Sequence, residues 1–244
     1  MDTKGKKIIL GSASPRRKEL LAGLGLEFTV DTGNTFDEVY ESDIPADDIP
    51  AVLSKGKKII LGSASPRRRE LLAGLDLAFT VDTGNTFDEV YGSDIPADEI
   101  PSVLSKGKSY GFHRPLEDDE VLITSDTLVL CGDRVMGKPH SREEAIDMLK
   151  TLSGRDHKVI TAITIRDNEK CRTSSDTAVV HFKSLTDNEI EYYVNVCKPF
   201  DKAGAYGIQE WIGYIGIDRI EGSYFTIMGL PVHLVYSELK YFLD

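Results

Sequence analysis

Ser63-Ala64-Ser65-Pro66-Arg67-Arg68 gathers two hydroxyls and two guanidinium groups where a strand gives way to a helix. Backbone N–H groups at a helix N-terminus favour anions, and hydroxyl and guanidinium donors beside them suit phosphate oxygens. The same residues also suit a capped helix with two solvated arginines, so the segment alone leaves both readings open. Asp126, in Ser125-Asp126-Thr127, follows an apolar run. The pattern places it at the C-terminal end of a buried strand, where α/β sheets hold ligands. A carboxylate there can hold a metal ion or activate water; a turn or capping aspartate is the alternative. Glu89, in Phe87-Asp88-Glu89-Val90, is a second carboxylate candidate. Lys108, Lys138 and Lys202 each lie near a turn or a glycine, and Lys138 sits in the rigid Gly137-Lys138-Pro139 segment. In Lys202-Ala203-Gly204-Ala205-Tyr206-Gly207-Ile208-Gln209, small residues let backbone approach a ligand, and Gln209 offers a donor and an acceptor to a base edge. A tight turn explains that segment equally well. The five histidines, His113, His140, His157, His181 and His233, show no metal-ligand spacing and are read as structural or surface residues.

The elements that must position these residues follow from the apolar pattern. Lys57–Leu61 reads as a buried strand, with Ser65 as N-cap and Pro66 as first residue of a helix facing inward through Leu71, Leu72 and Leu75. Leu77–Val81 reads as the next strand. The Gly-, Asp- and Pro-rich stretch Asp82–Pro101 reads as a loop leading to a helix with Val103, Leu104 and Lys108. Val121–Thr124 is expected to be a strand, followed by a hairpin turning at Cys131-Gly132-Asp133. Ser141-Arg142-Glu143-Glu144 and Thr186-Asp187-Asn188-Glu189 are capping boxes opening two helices, the first burying Ala145, Met148, Leu149 and Leu152. Lys158–Ile165 and Thr177–Phe182 alternate like strands, and Pro231–Leu243 reads as a terminal amphipathic helix. Strands and helices interleave throughout, which gives an α/β class with a mixed twisted sheet and flanking helices.

Bulk properties narrow the partners. A net charge of -11 repels a nucleic-acid backbone over most of the surface. A phosphorylated ligand then requires cations gathered at one place. No apolar run approaches the ~20 residues of a membrane helix. Met1–Lys7 is polar and basic and lacks the apolar core of a signal peptide, so a cytoplasmic protein is expected. Cys131, Cys171 and Cys197 show no paired spacing and read as core or surface thiols.

Residues 5–55 recur as residues 56–106. Only Lys18/Arg69, Gly25/Asp76, Glu27/Ala78, Glu41/Gly92, Asp48/Glu99 and Ala51/Ser102 differ. Two units do not make a solenoid, and nothing after Lys106 continues the pattern. Lys-Gly-Lys stands at residues 4–6, 55–57 and 106–108, the ends of each unit, as a duplication at a short repeated sequence would leave it. Residues 1–55 are therefore read as a redundant copy of the strand–helix–strand unit, and residues 56–244 as the functional domain. A swap, with the first copy in the native place, stays open because the copies are chemically almost equivalent.

Taken together, the segments from Lys57 to the C-terminus resemble the Maf family of nucleotide pyrophosphatases. The resemblance rests on Ser63–Arg68, Ser125-Asp126-Thr127, Gly137-Lys138-Pro139, Leu152-Ser153-Gly154-Arg155, Asp201–Gln209, Glu221-Gly222-Ser223-Tyr224 and Met228-Gly229-Leu230-Pro231. Each segment is weak alone; their order and spacing together are specific. The resemblance implies a two-lobed single domain of the Maf/ITPase type. It implies hydrolysis of nucleoside triphosphates to the monophosphate and pyrophosphate, assisted by Mg²⁺ or Mn²⁺. Asp126 matches the family's catalytic acidic residue. Ser63, Arg67, Arg68, Lys108 and Lys138 match its phosphate-binding set, and Glu89 matches a carboxylate that, with Asp126, places the metal. Arg67, Thr127 and Gln209 match positions associated with the dTTP/UTP subgroup; the 7-methyl-GTP subgroup usually carries an aromatic residue in place of Arg67. Ser141 departs from the aspartate that many members carry after the Gly-Lys-Pro turn. The duplicated N-terminus is not a family feature. The expected partner is the nucleotide, with no nucleic acid and no membrane, and a homodimer is left open. Two other functions also stay open: cleansing the pool of modified nucleotides, and nucleotide-dependent regulation of septum formation.

Overall fold

A strand that must carry a polar waist between two apolar ends organises the sheet. In the computed structural model, which describes residues 8–10, 15–24, 27–31 and 57–243, the chain runs through β1 (Ile8–Leu10), α1 (Pro15–Ala22), β2 (Phe28–Val30), β3 (Lys58–Leu61), α2 (Pro66–Ala73), β4 (Phe79–Val81) and α3 (Ile100–Tyr110). It continues through β5 (Glu120–Cys131), β6 (Arg134–Met136), α4 (Arg142–Leu152), β7 (Asp156–Arg166), β8 (Cys171–Phe182) and α5 (Asp187–Cys197). A 3₁₀ turn (Ala203–Ala205), α6 (Trp211–Gly216), β9 (Ile217–Glu221), α7 (Tyr224–Met228) and α8 (Val232–Leu243) complete it. Seven strands form one sheet in the order β4-β3-β5-β7-β8-β9, with β6 on β5. The pairs β3/β4 and β3/β5 are parallel and the others antiparallel. The expected mixed sheet with flanking helices is thus present. β1 and β2 pair with each other in a separate two-stranded sheet.

Period-2 alternation along β5 sends its side chains to two sets of partners. Val121 and Ile123 join a core with Leu71 and Leu72 of α2 and Val235 and Leu239 of α8. Val129 and Cys131 join a second core with Leu149 of α4 and Tyr193 of α5. On the other face Leu128 packs with Ile100 and Leu104 of α3. Between these cores the run Thr124–Thr127 is polar. Ser105 of α3 donates to Thr164 Oγ1 at 3.0 Å, and Thr124 Oγ1 donates to the Ser105 carbonyl at 2.8 Å. These bonds give the buried Ser105 and Thr124 hydroxyls partners.

Several boundaries differ from expectation. β5 is not a short strand ending at Thr124 but runs on to Cys131, so Asp126 lies in mid-strand and not at a strand end. Its polar residues hid the continuation, because in-strand polar groups are tolerated where the neighbouring chain supplies partners. β4 begins at Phe79, not Leu77. Ser141 caps α4 through the Glu144 N–H at 3.1 Å, but Glu144 accepts from the His140 N–H at 2.7 Å, one residue earlier than in the reciprocal box. Thr186 and Glu189 form the full box. Parts of the first copy, including Ser12, Ser14 and the counterpart of Glu89, lie outside the described residues.

Candidate functional site

β3 stops pairing with β5 at the Leu61–Ile123 register, where the Gly62 N–H still donates to the Ile123 carbonyl at 2.8 Å. Beyond that point the chain turns away into α2, and β5 is left without a parallel neighbour from Ser125 onward. The local sequence requires the turn: Ser65 caps α2 by accepting from the Arg68 N–H at 3.4 Å, and Pro66 occupies the first helical turn. A cavity of about 820 Å³ opens at this edge, lined from both faces of the sheet. Asp126 therefore lies just beyond the last parallel pair, Leu61 with Ile123, in the middle of its own strand.

All nine residues expected in the site line this one cavity. Ser63, Arg67 and Arg68 come from the turn into α2, Glu89 from the loop after β4, and Lys108 from α3. Asp126 and Thr127 come from β5, Lys138 from the segment after β6, and Gln209 from the segment before α6. Five Lys and Arg side chains line it (Arg67, Arg68, Lys108, Lys138 and Lys202) against three carboxylates (Glu89, Asp126 and Asp201). In a chain of net charge -11 this local excess of cations is the condition for binding a polyanion. His140, read from the sequence as structural or surface, also reaches the lining.

The two faces of β5 carry different groups. On the α3 face, Lys108 Nζ lies 2.6 Å from Asp126 Oδ1 and 2.9 Å from Glu89 Oε1. Burial alone pushes the Glu89 carboxyl up; hydrogen bonding and charge from Lys108, with Lys138 and Arg68, outweigh it and hold Glu89 below its ordinary value. On the other face, Arg68 donates from Nε to the Gly229 carbonyl at 2.8 Å and from Nη1 to the Ser125 carbonyl at 2.8 Å. It also donates to Ser63 Oγ at 3.4 Å and Thr127 Oγ1 at 3.2 Å. Four of the five guanidinium N–H groups are thereby committed to the protein. Arg68 reads from sequence as a phosphate donor; its geometry makes it chiefly the clamp that joins α2, β5 and the Gly229 turn. Burial lowers its pKa, and the nearby Asp126 charge works against that shift.

Gly229 has φ of 102°, a backbone that L side chains rarely adopt, and a Cβ there would stand 3.2 Å from Thr127 Oγ1. Its carbonyl accepts from both Arg68 and Ser125 Oγ. Gly204, expected to let backbone approach a ligand, instead has φ of 68° and packs against Val129; a Cβ would meet that side chain at 3.1 Å. Its service is to the core, not to the cavity.

Sequence reasoning missed Asp201 and Glu210. Asp201 Oδ2 accepts from Arg67 Nη1 at 3.1 Å, and Lys202 Nζ lies 2.6 Å from Asp201 Oδ1 and 3.0 Å from Glu210 Oε1. Asp201 stands within a segment already singled out. Glu210 follows Gln209 directly, but no spacing marks it.

A mixed α/β sheet whose open edge carries a cationic cavity defines a protein built to hold a small polyanion. The Maf-like protein family matches residues 58–242, and this chain belongs to that family. A dTTP/UTP pyrophosphatase of Porphyromonas gingivalis is 47% identical over 190 residues, covering 77% of this chain and 96% of that protein. A dTTP/UTP pyrophosphatase of Parabacteroides distasonis is 50% identical over 188 residues, covering 77% and 97%. Among solved structures, the Staphylococcus aureus Ham1 protein is similar at a TM-score of 0.40 and 13% identity, over 75% of this chain and 98% of that one. Among the described residues no helix is long and apolar enough to cross a membrane.

Proposed function

We propose that the chain hydrolyses dTTP and UTP to the monophosphate and pyrophosphate. The observation that carries this reading is the pairing of one carboxylate, Asp126, with a cationic side chain, Lys108, inside a cavity whose cations outnumber its carboxylates. The names of relatives nearly half identical over the same residues support it. Water attacks the α-phosphorus, the bond from that phosphorus to the bridging oxygen breaks, and pyrophosphate leaves with the electron pair. Asp126 accepts the proton of the water, and Lys108, 2.6 Å from Oδ1, holds the carboxylate aimed. Lys138 and the N-terminus of α2 meet the charge of the triphosphate, which in-line transfer must neutralise.

Glu89 and Asp126 suit a divalent ion. Both already converge on one cation, the Lys108 ammonium, and both offer hard oxygen ligands. Among the described residues no group of three or more His, Cys, Asp or Glu side chains converges; Glu89 and Asp126 would hold the ion through their carboxylate oxygens. Bound there, Mg²⁺ or Mn²⁺ supplies charge neutralisation at the phosphates.

The test is release of pyrophosphate from a panel of natural and modified triphosphates with Mg²⁺ and with Mn²⁺. The expected result is turnover highest on dTTP and UTP. Preference for 7-methyl-GTP or for modified nucleotides would overturn the substrate assignment. Binding without turnover would replace catalysis with a regulatory role.

A further inference from the structure

Lys202 is 8% exposed, and a buried ammonium is costly unless it is paired. Its two partners extend the pairing in opposite directions. Asp201 passes it on to Arg67 through its second oxygen. Glu210 accepts the Tyr193 hydroxyl on its second oxygen, and the Tyr193 oxygen accepts the Gly207 N–H at 3.0 Å. Burial raises the Tyr193 pKa, so the phenol stays protonated and donates. The result is one unbroken chain of polar contacts from the start of α2 to the backbone two residues before Gln209. Arg67, Asp201, Lys202, Gly207 and Gln209 all line the cavity.

The Arg67–Asp201 pair is itself partly open to water, with side chains 25% and 60% exposed, so it adds little to stability. What it does is fix direction. A guanidinium only donates, and Arg67, held through one nitrogen, keeps its other N–H groups for an acceptor. Gln209 presents a donor and an acceptor side by side. Uracil and thymine offer a carbonyl, an N–H and a carbonyl along one edge. Cytosine and adenine put an amino donor where uracil has a carbonyl, and an amino group facing a fixed guanidinium opposes donor to donor.

We infer that Asp201 is a positioning residue for base selection, and that Asp201, Lys202, Glu210 and Tyr193 tie Arg67 to the backbone at Gly207, two residues before Gln209, as a reader of a pyrimidine dione. The inference rests on the pyrophosphatase reading above and adds the residues that give it substrate choice. A site whose polar groups are held in place rejects an analogue that leaves them unpaired; the same groups left loose reject it less.

The experiment compares kcat and KM on UTP and CTP, which differ at one exocyclic group, for the wild type, Asp201→Asn, Asp201→Glu and Glu210→Gln. Asp201→Asn is expected to lower the UTP-to-CTP ratio of kcat/KM on the order of tenfold, through KM, with kcat on UTP changed by no more than about twofold and the melting temperature near that of the wild type. Asp201→Glu is expected to restore part of the ratio, and Glu210→Gln to lower it in the same direction. Equilibrium binding of UMP and CMP to the wild type and to Asp201→Asn forms a second arm that needs no turnover. If the wild type binds UMP over CMP and Asp201→Asn loses that preference while no variant turns nucleotides over, the pyrophosphatase reading fails and the positioning role stands. If the wild type is an active, UTP-selective enzyme and both asparagine and glutamine variants keep its ratio, or lose UTP and CTP activity equally, the positioning role is wrong and the pyrophosphatase reading stands.

Discussion

Lys108 Nζ and Asp126 Oδ1 are 2.6 Å apart, with the lysine on α3 and the aspartate on the strand beneath it. α3 is held in that place by Leu104 against Leu128 and by Ser105 against the Thr124 backbone. The pair is therefore set by packing on either side of it and not by the ion pair alone. Asp126→Asn keeps the shape and removes the proton acceptor. Turnover is expected to fall ~10²–10⁴-fold, with nucleotide binding largely retained because the surrounding cations remain. Steady-state rates together with a binding titration decide it, and near-normal turnover would remove Asp126 from its role.

Arg68 separates a structural clamp from a simple phosphate ligand. Arg68→Lys keeps the charge but cannot serve the Gly229 carbonyl, the Ser125 carbonyl and Thr127 Oγ1 at once. Leaving partly buried carbonyls without donors costs about 1–3 kcal/mol. Urea unfolding of Arg68→Lys is expected to show a loss of that size together with a loss of activity. Full stability with reduced activity would mean that the guanidinium serves the substrate and not the fold.

Much of this was legible in the residues. Ser65, Pro66 and the leucines of α2 encode their own cap and inward face, and all three expected caps, Ser65, Ser141 and Thr186, do cap. The residues expected in the site, read from side-chain type and from the family resemblance, line one cavity. What the sequence concealed is tertiary. Thr124–Thr127 look like the end of a strand, since four polar residues interrupt the apolar run; β7, α3, Arg68 and the Gly229 turn, which supply their hydrogen-bond partners, make them its middle. Arg68 looked like a ligand because the carbonyls that occupy it lie 57 and 161 residues away. Asp201 and Glu210 are ordinary acidic residues until Lys202 is buried between them.

His157 gives the fold a pH dependence of defined sign. It is 2% exposed, its Nε2 lies 2.8 Å from the Tyr206 hydroxyl, and its ring stacks on Phe182. Burial lowers its pKa from 6.5 to about 4, against the raising influence of Asp156. The folded state thus favours the neutral ring, and the unfolded chain binds the extra proton between these values. Stability from this residue is present above pH 6.5 and is lost as the pH falls from 6.5 towards 4, by up to about 3 kcal/mol. His157→Phe keeps a ring of similar shape but cannot titrate. Denaturant unfolding between pH 4.5 and 7 is expected to give a shallower slope for the variant. Equal slopes would show that His157 is not the titrating group.

The two copies of the N-terminal unit can be told apart by what they bury. Their strands pair in the same parallel register, Ile8 with Phe28 and Ile59 with Phe79. The six differing positions are exposed in the second copy except Ser102, which is half-buried, so sequence alone gives neither copy the better claim to the core. Surroundings do. α2 buries Leu71 and Leu72, whereas α1 buries none of its residues, and Ile60 is 2% exposed where its counterpart Ile9 is 61% exposed. Losing a buried leucine costs about 2–5 kcal/mol, while an exposed one contributes little. The second copy also leads without a crossover into Lys108 on α3. The Leu24 carbonyl of the first copy accepts from Trp211 Nε1 of α6 at 3.3 Å. Deleting residues 5–55 is therefore expected to preserve activity and melting temperature and to improve solubility by removing exposed apolar residues. Replacing Arg67 and Arg68 with alanine is expected to abolish activity; the same change at Arg16 and Arg17 is expected to leave it intact. The reverse pattern, measured in the full-length protein, would mean that the first copy has taken the native place and that residues 56–106 loop out.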